Sequence, residues 1–132
     1  MLFMEWNYLL SVKVESIDRQ HEKLVILLNE MYDAICTGKG KAVVGPILDE
    51  LIDYSKTHFA HEERLMREKS YHYYEAHKLE HDKLTNQVIA FKETFDEGRE
   101  SVHLKLMHFL KNWLIEHIFG TDMKLGYFLS KQ

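Results

Sequence analysis

Apolar residues recur at alternating spacings of three and four residues in four successive segments, and this pattern constrains the fold more than any other feature. Such spacing places the apolar side chains on one face of a helix. The predicted helices span 18–37, 41–69, 73–97 and 100–119, and no alternating pattern favours a strand. Short connections between four amphipathic helices predict an all-α protein, an up-down-up-down four-helix bundle.

A chain of 132 residues is long enough for a single domain. We expect residues 1–17 to form an N-terminal arm, 18–119 the bundle and 120–132 a C-terminal tail, with Asp18 capping the first helix. The net charge of −4 argues against nucleic-acid binding. No apolar run is long enough for membrane insertion, and no signal peptide is visible. A cytoplasmic monomer is therefore expected.

Ionisable residues interrupt the apolar stripes at one end of the predicted bundle. They are His21, His58, Glu62, His77, His81 and His117. Burying an ionisable side chain is costly unless it is paired or bound to a metal. A lone buried histidine is usually a hydrogen-bonded core residue, but six such residues at the same end need a common cause.

The spacings within this group are typical of metal ligands. His58 and Glu62 are four residues apart, as are His77 and His81, so each pair lies on one helical face. His117 and Asp122 are five residues apart, roughly 140° on a continuous α-helix, so both could not point inward. We expect Gly120 to end the helix and a turn at residues 121–125 to bring Asp122 back to the core.

The number and type of donors indicate a pair of metal ions. Five histidines and two carboxylates are too many ligands for one four-coordinate zinc. Imidazole and carboxylate donors without a thiolate suit iron. If both carboxylates and one oxo or hydroxo group bridge two octahedral ions, one coordination position stays open for a small diatomic ligand.

These residues resemble a known family. Trp6, the segment Ile17-Asp18-Arg19-Gln20-His21, and the pairs His58-x-x-x-Glu62, His77-x-x-x-His81 and His117-x-x-x-x-Asp122 look like those of the hemerythrins, over nearly the whole chain. The resemblance implies that His77, His81 and His117 bind one iron, that His21 and His58 bind the other, and that Glu62 and Asp122 bridge them. It also implies that dioxygen binds at the two-histidine iron, in an apolar pocket containing Leu24, Trp113, Leu114 and Ile118.

The predicted function is reversible dioxygen binding, for storage or for delivery to an oxygen-using enzyme, rather than catalysis. Alternatives are a di-iron oxidase, a peroxidase, a nitric oxide scavenger, a sensor of oxygen, redox state or iron, and a metal-free structural bundle. Ferritin-like di-iron enzymes carry two Glu-x-x-His motifs. Here the only such motif is Glu100-x-x-His103, at the opposite end of the bundle, so the carrier is favoured.

Three charged or polar residues are predicted to lie outside the centre. His103 is about 21 Å along the helix axis from His117, and His108 is half a turn out of phase with it. Glu63 follows Glu62 directly and is predicted to lie on a solvated face with Arg64.

Overall fold

The computed structural model of the chain describes residues 3–98 and 102–131, and these contain no β-strand. Four long helices are present: α1 (Glu15–Cys36), α2 (Lys41–Glu68), α3 (Tyr74–Asp96) and α4 (Val102–His117). Their bounds lie within three residues of those predicted from the apolar periodicity. The all-α prediction is confirmed.

The four helices pack in cyclic order around one core. Helices α1 and α3 each contact both α2 and α4. Because the connections are short, successive helices run antiparallel, which confirms the predicted up-down-up-down bundle. The apolar stripe of α1 is buried, with Leu24, Leu28 and Met31 each at most 5% exposed. Among the described residues, no helix is long and apolar enough to cross a membrane.

After His117 the chain stays helical, so the expected turn at residues 121–125 is wrong. A π-helical segment, Ile118–Asp122, joins α4 to a last helix, α5 (Met123–Ser130). The backbone N–H of Met123 donates to the carbonyl of Ile118, which is the five-residue bond of a π-turn. This wider turn brings Asp122 round to the side of the helix that carries His117, so no chain reversal at Gly120 is needed.

Asp18 holds the N-terminal arm rather than capping a helix. Helix α1 begins earlier than expected, at Glu15, and its cap residue Val14 makes no side-chain capping bond. The buried Asp18 carboxylate accepts hydrogen bonds from the Ser11 hydroxyl at 2.6 Å and from the Val12 backbone N–H at 2.8 Å. The arm is therefore tied to the first turn of α1.

Two further contacts fix the course of the arm along the bundle. The Asn29 side chain pairs with the backbone of Met4, accepting at 2.9 Å and donating at 2.8 Å. At the other end of the arm, a Cβ atom on Gly126 would overlap the Val12 carbonyl oxygen and lie 2.9 Å from the Val12 Cβ. Only glycine permits this approach between the arm and α5.

Candidate metal centre

The structure brings all seven predicted ligand residues into one buried cluster. Helix α1 contributes His21, α2 contributes His58 and Glu62, α3 contributes His77 and His81, α4 contributes His117, and the π segment contributes Asp122. None of the seven is more than 2% exposed. They therefore share the interior of the bundle end as the sequence predicted, while their role as ligands stays a prediction.

The donor atoms fall into two groups that overlap at the carboxylates. The first group is Glu62, His77, His81, His117 and Asp122, and the second is His21, His58, Glu62 and Asp122. Within each group the donor atoms all lie within 4.8 Å of one another. Since Glu62 and Asp122 belong to both groups, each carboxylate is placed to bridge two cations.

The histidine Nε2 atoms point at these carboxylates. Glu62 Oε2 lies 3.0 Å from His58 Nε2, and Glu62 Oε1 lies 3.1 Å from His77 Nε2. Asp122 Oδ1 is 3.0 Å from the Nε2 atoms of His77 and His117, and Asp122 Oδ2 is 2.9 Å from that of His21. The imidazoles therefore present one nitrogen each to a common interior volume.

Three of the five histidines are held from behind by hydrogen bonds at Nδ1. His58 Nδ1 donates to Gln20 Oε1 at 2.6 Å. His81 Nδ1 donates to Glu63 Oε2, and His117 Nδ1 to Glu80 Oε1, both at 2.9 Å. In a neutral imidazole, a proton on Nδ1 leaves the lone pair of Nε2 free and facing the cluster. This is the form of histidine that binds metals.

The arrangement fits cations and is unfavourable without them. The Nε2 atoms of His81 and His117 lie 3.2 Å apart, so without a cation one of them must carry a proton to avoid two facing lone pairs. The buried atoms His21 Nε2, Glu62 Oε2 and both carboxylate oxygens of Asp122 have no hydrogen-bond partner of acceptable geometry. Each unsatisfied buried polar atom costs about 1–3 kcal/mol. A cation within each group would satisfy several of these atoms at once.

The electrostatics of the protein chain point the same way. Burial disfavours charged imidazoles, but the adjacent Asp122 and Glu62 outweigh it and raise the pKa of His21 and His77 to about 9. The same balance raises the pKa of His117 to about 10. Burial also opposes ionisation of Glu62, yet His58 and the neighbouring imidazoles hold its pKa well below the usual range. The site therefore favours positive charge between two ionised carboxylates.

The hydrogen-bond partners of the histidines follow a pattern that the sequence analysis missed. Gln20 precedes His21, Glu63 follows Glu62 and Glu80 precedes His81, yet each bonds to a histidine of the next helix along the chain. Glu63 is thus not on a solvated face: its side chain is only 15% exposed. Adjacency to a predicted ligand is the only sequence signal the three share, and Glu22 and Lys78 carry it as well.

Glu80 has a second partner in the π segment. The Thr121 hydroxyl lies 2.9 Å and 3.0 Å from the two Glu80 oxygens, close enough to donate to either. The hydrogen bond from His117 is the largest factor that lowers the pKa of Glu80. The carboxylate thus links α3 to α4 and to the irregular turn that supplies Asp122.

A small cavity of about 40 Å³ borders the cluster. Its walls include three of the four predicted pocket residues, Leu24, Trp113 and Leu114, beside His21 and His58. The fourth, Ile118, is fully buried but is not among the lining residues. It is the first residue of the π segment, and its place in the pocket, which the resemblance implied, stays a prediction.

Aromatic rings stack on two of the histidines. Trp113 lies flat on His117, with the ring centroids 4.3 Å apart, and Phe59 lies on His81 at 3.9 Å. These contacts leave each imidazole little freedom to rotate.

The histidines predicted to be bystanders lie apart from the cluster. His103 packs on Phe95, with 4.8 Å between ring centroids. His108 is exposed, and its ring is 5.6 Å from that of Phe3. Glu100, the other member of the single Glu-x-x-His motif, lies outside the described residues.

Comparison with known proteins agrees with the resemblance seen in the sequence. Residues 12–129 match the Hemerythrin HHE cation binding domain. Bacteriohemerythrin of Stenotrophomonas maltophilia is 35% identical over 122 residues, 92% of this chain and 78% of that protein. Bacteriohemerythrin of Methylococcus capsulatus is 34% identical over 131 residues, 98% and 99% of the two chains. A crystal structure of wild-type hemerythrin aligns with a TM-score of 0.88 at 34% identity, covering 94% of this chain and 95% of that one. The chain therefore belongs to the hemerythrin family.

Proposed function

We propose that this protein binds dioxygen reversibly at a pair of iron ions held by His21, His58, Glu62, His77, His81, His117 and Asp122. The observation that carries the proposal is the pair of donor groups sharing two carboxylates beside a small cavity. A lone metal ion would not use this many buried donors, and a structural bundle would not bury them.

The unequal donor groups support one open coordination position. The group with three histidines fills an octahedral shell once the two carboxylates and one oxo or hydroxo bridge are counted. The group with two histidines, His21 and His58, is one donor short. Both of these histidines line the cavity, whereas of the histidines in the other group only His117 does, and this supports an open position that would face the cavity. When bound, the iron pair supplies the electrons that dioxygen takes up and returns on release.

The protein chain decides which molecules reach that position. Leu24 and Leu114 are each 5% exposed, and their apolar side chains line the cavity. An apolar wall disfavours water and anions, which lose hydration there, and admits a small neutral molecule such as dioxygen. The two leucine side chains also have no acidic proton to donate to a ligand in the cavity. These properties suit storage of dioxygen or its delivery to an oxygen-using enzyme.

The test is to load the purified chain anaerobically with ferrous iron. We expect about two irons per chain and a visible spectrum that changes with oxygen and returns when oxygen is removed by argon. Elemental analysis giving one zinc and no iron would contradict the proposal. Continuous oxygen consumption in the presence of a reductant, at enzyme-like rates, would instead identify a di-iron oxidase.

A further inference from the structure

The hydrogen bonds behind the cluster differ in charge between its two halves. In the three-histidine group, His81 donates to the Glu63 carboxylate and His117 to the Glu80 carboxylate. In the two-histidine group, His58 donates to Gln20, a neutral amide. The three bonds are otherwise alike, with heavy-atom distances between 2.6 Å and 2.9 Å.

Burial makes this difference electrostatically effective. The Glu63 side chain is 15% exposed, so solvent screens its charge only partly, whereas Glu80 is 44% exposed and more strongly screened. On the two-histidine side, no carboxylate of the described residues is hydrogen-bonded to a histidine Nδ1. Asp18, one turn before His21, directs its oxygens to Ser11 and Val12 of the arm rather than to the His21 ring.

A carboxylate behind a metal-bound imidazole changes the metal as well as the ring. It increases the basicity of the imidazole and stabilises the higher oxidation state, which carries one more positive charge. A neutral amide fixes the ring orientation without adding charge. The two positions already differ by one histidine, and the charge behind the histidines adds a second difference in their affinity for an electron.

We propose that Gln20, Glu63 and Glu80 are positioning residues that set unequal reduction potentials for the two metal positions. The three-histidine position has the lower potential and is oxidised first. The position beside the cavity has the higher potential and is oxidised second. This inference rests on the proposed di-iron function. It attributes part of the difference between the two reduction potentials to three residues that are not predicted to bind metal.

The experiment is a redox titration of the iron-loaded protein, followed by its visible spectrum, in wild type and four variants. Glu63→Gln keeps a hydrogen-bond acceptor for His81 but removes the charge, and should raise the lower of the two potentials. We expect at least a tenfold shift in that one-electron equilibrium, about 59 mV. Glu80→Gln should shift the same potential in the same direction by less, because Glu80 is more exposed.

The opposite substitution tests the other half. Gln20→Glu places a carboxylate behind His58 and should lower the higher potential, so it too narrows the gap between the two steps. The matched control is Glu68→Gln, an exposed glutamate of α2 that pairs with Arg64 at 3.8 Å. It should change the equilibrium constant of neither one-electron step by more than a factor of two.

Iron content and oxygen binding of the same samples separate the two hypotheses. A wild-type chain that holds no iron pair, or holds it without binding oxygen, overturns the proposed function. A wild type that binds oxygen while Glu63→Gln and Gln20→Glu leave the gap unchanged overturns the asymmetry alone. An equal shift of both potentials in either variant also overturns the proposed asymmetry. Such a shift is what a change in the net charge of the protein would cause, wherever the charge lies.

Discussion

The two ends of the bundle are built from the same four helices but are held together differently. At the end that holds the candidate metal centre, here called the near end, three of the five histidines are fixed by directional hydrogen bonds, as His58 is by Gln20 at 2.6 Å. At the far end, the stripes continue as buried apolar residues such as Val44, Leu48 and Leu106, each at most 2% exposed. Apolar packing depends on volume and burial, whereas the donor cluster depends on the position of single atoms. The far end therefore supplies stability. The near end holds the candidate metal centre, whose unsatisfied buried polar atoms cost stability when no cation is bound.

The largest effect should come from removing a predicted ligand. His77 Nε2 lies 3.1 Å from Glu62 and 3.0 Å from Asp122, so His77→Ala removes a donor in contact with both carboxylates. We expect iron content to fall to less than half that of wild type and the oxygen-dependent spectrum to disappear. Elemental analysis and visible spectroscopy measure both.

The control for this variant is the exposed His108. His108→Ala should leave iron content and the spectrum at wild-type levels, since its ring contacts Phe3 rather than the cluster. Equal loss of iron in the two variants would show that the donor assignment is wrong.

Removal of the metal should lower the free energy of unfolding of the whole bundle, because it leaves the polar atoms at the near end buried without a cation. A ligand present at a thousand times its Kd adds about 4 kcal/mol to the free energy of unfolding. We expect the chelated protein to unfold at a clearly lower temperature than the iron-loaded one. Thermal unfolding followed by circular dichroism, with and without chelator, measures the difference. An unchanged Tm after verified removal of metal would rule out a contribution of the cluster to folding.

A leucine truncated at the far end should affect stability alone. Leu48 is 1% exposed, and Leu48→Ala should cost about 2–5 kcal/mol of the free energy of unfolding. Denaturant titration measures that cost. Iron content and the lifetime of the oxygenated form should not change. A shortened lifetime in this variant would contradict the division between the two ends.

The same truncation beside the cluster should affect function as well. Leu114 is 5% exposed and lines the cavity, so Leu114→Ala should cost a similar 2–5 kcal/mol and also open the apolar wall. We expect the oxygenated form to convert to the ferric form faster, and azide to bind the ferric form faster, than in wild type or Leu48→Ala. If autoxidation is no faster, another residue controls access to the cavity.

The smallest effect is expected where the arm meets α5. Gly126→Ala would place a Cβ atom against Val12, and such overpacking typically costs about 1–3 kcal/mol. Because the arm supplies none of the predicted ligands, iron content should remain that of wild type. Denaturant titration together with iron analysis tests both parts. Loss of iron in this variant would show that the arm also positions the cluster.

Much of this centre could be predicted because helical periodicity is a local property. His58 and Glu62, or His77 and His81, share a face wherever the helix forms, and antiparallel topology then brings both pairs to one end. The hydrogen-bond partners behind the histidines, Gln20, Glu63 and Glu80, could not be found in this way. Glu63 is one residue out of phase with the core face, and from sequence it looks the same whether it meets solvent or a neighbouring helix.

The sequence by itself determined four amphipathic helices, their antiparallel order and the end of the bundle where ionisable residues collect. Only the tertiary structure decided how Asp122 reaches that end. Gly120 predicted a break in the helix, but the chain instead forms the π segment Ile118–Asp122. A π-turn is unfavourable in isolation and forms where surrounding contacts over-determine it. Here those contacts come from His21, His77 and Glu80, residues distant in the sequence.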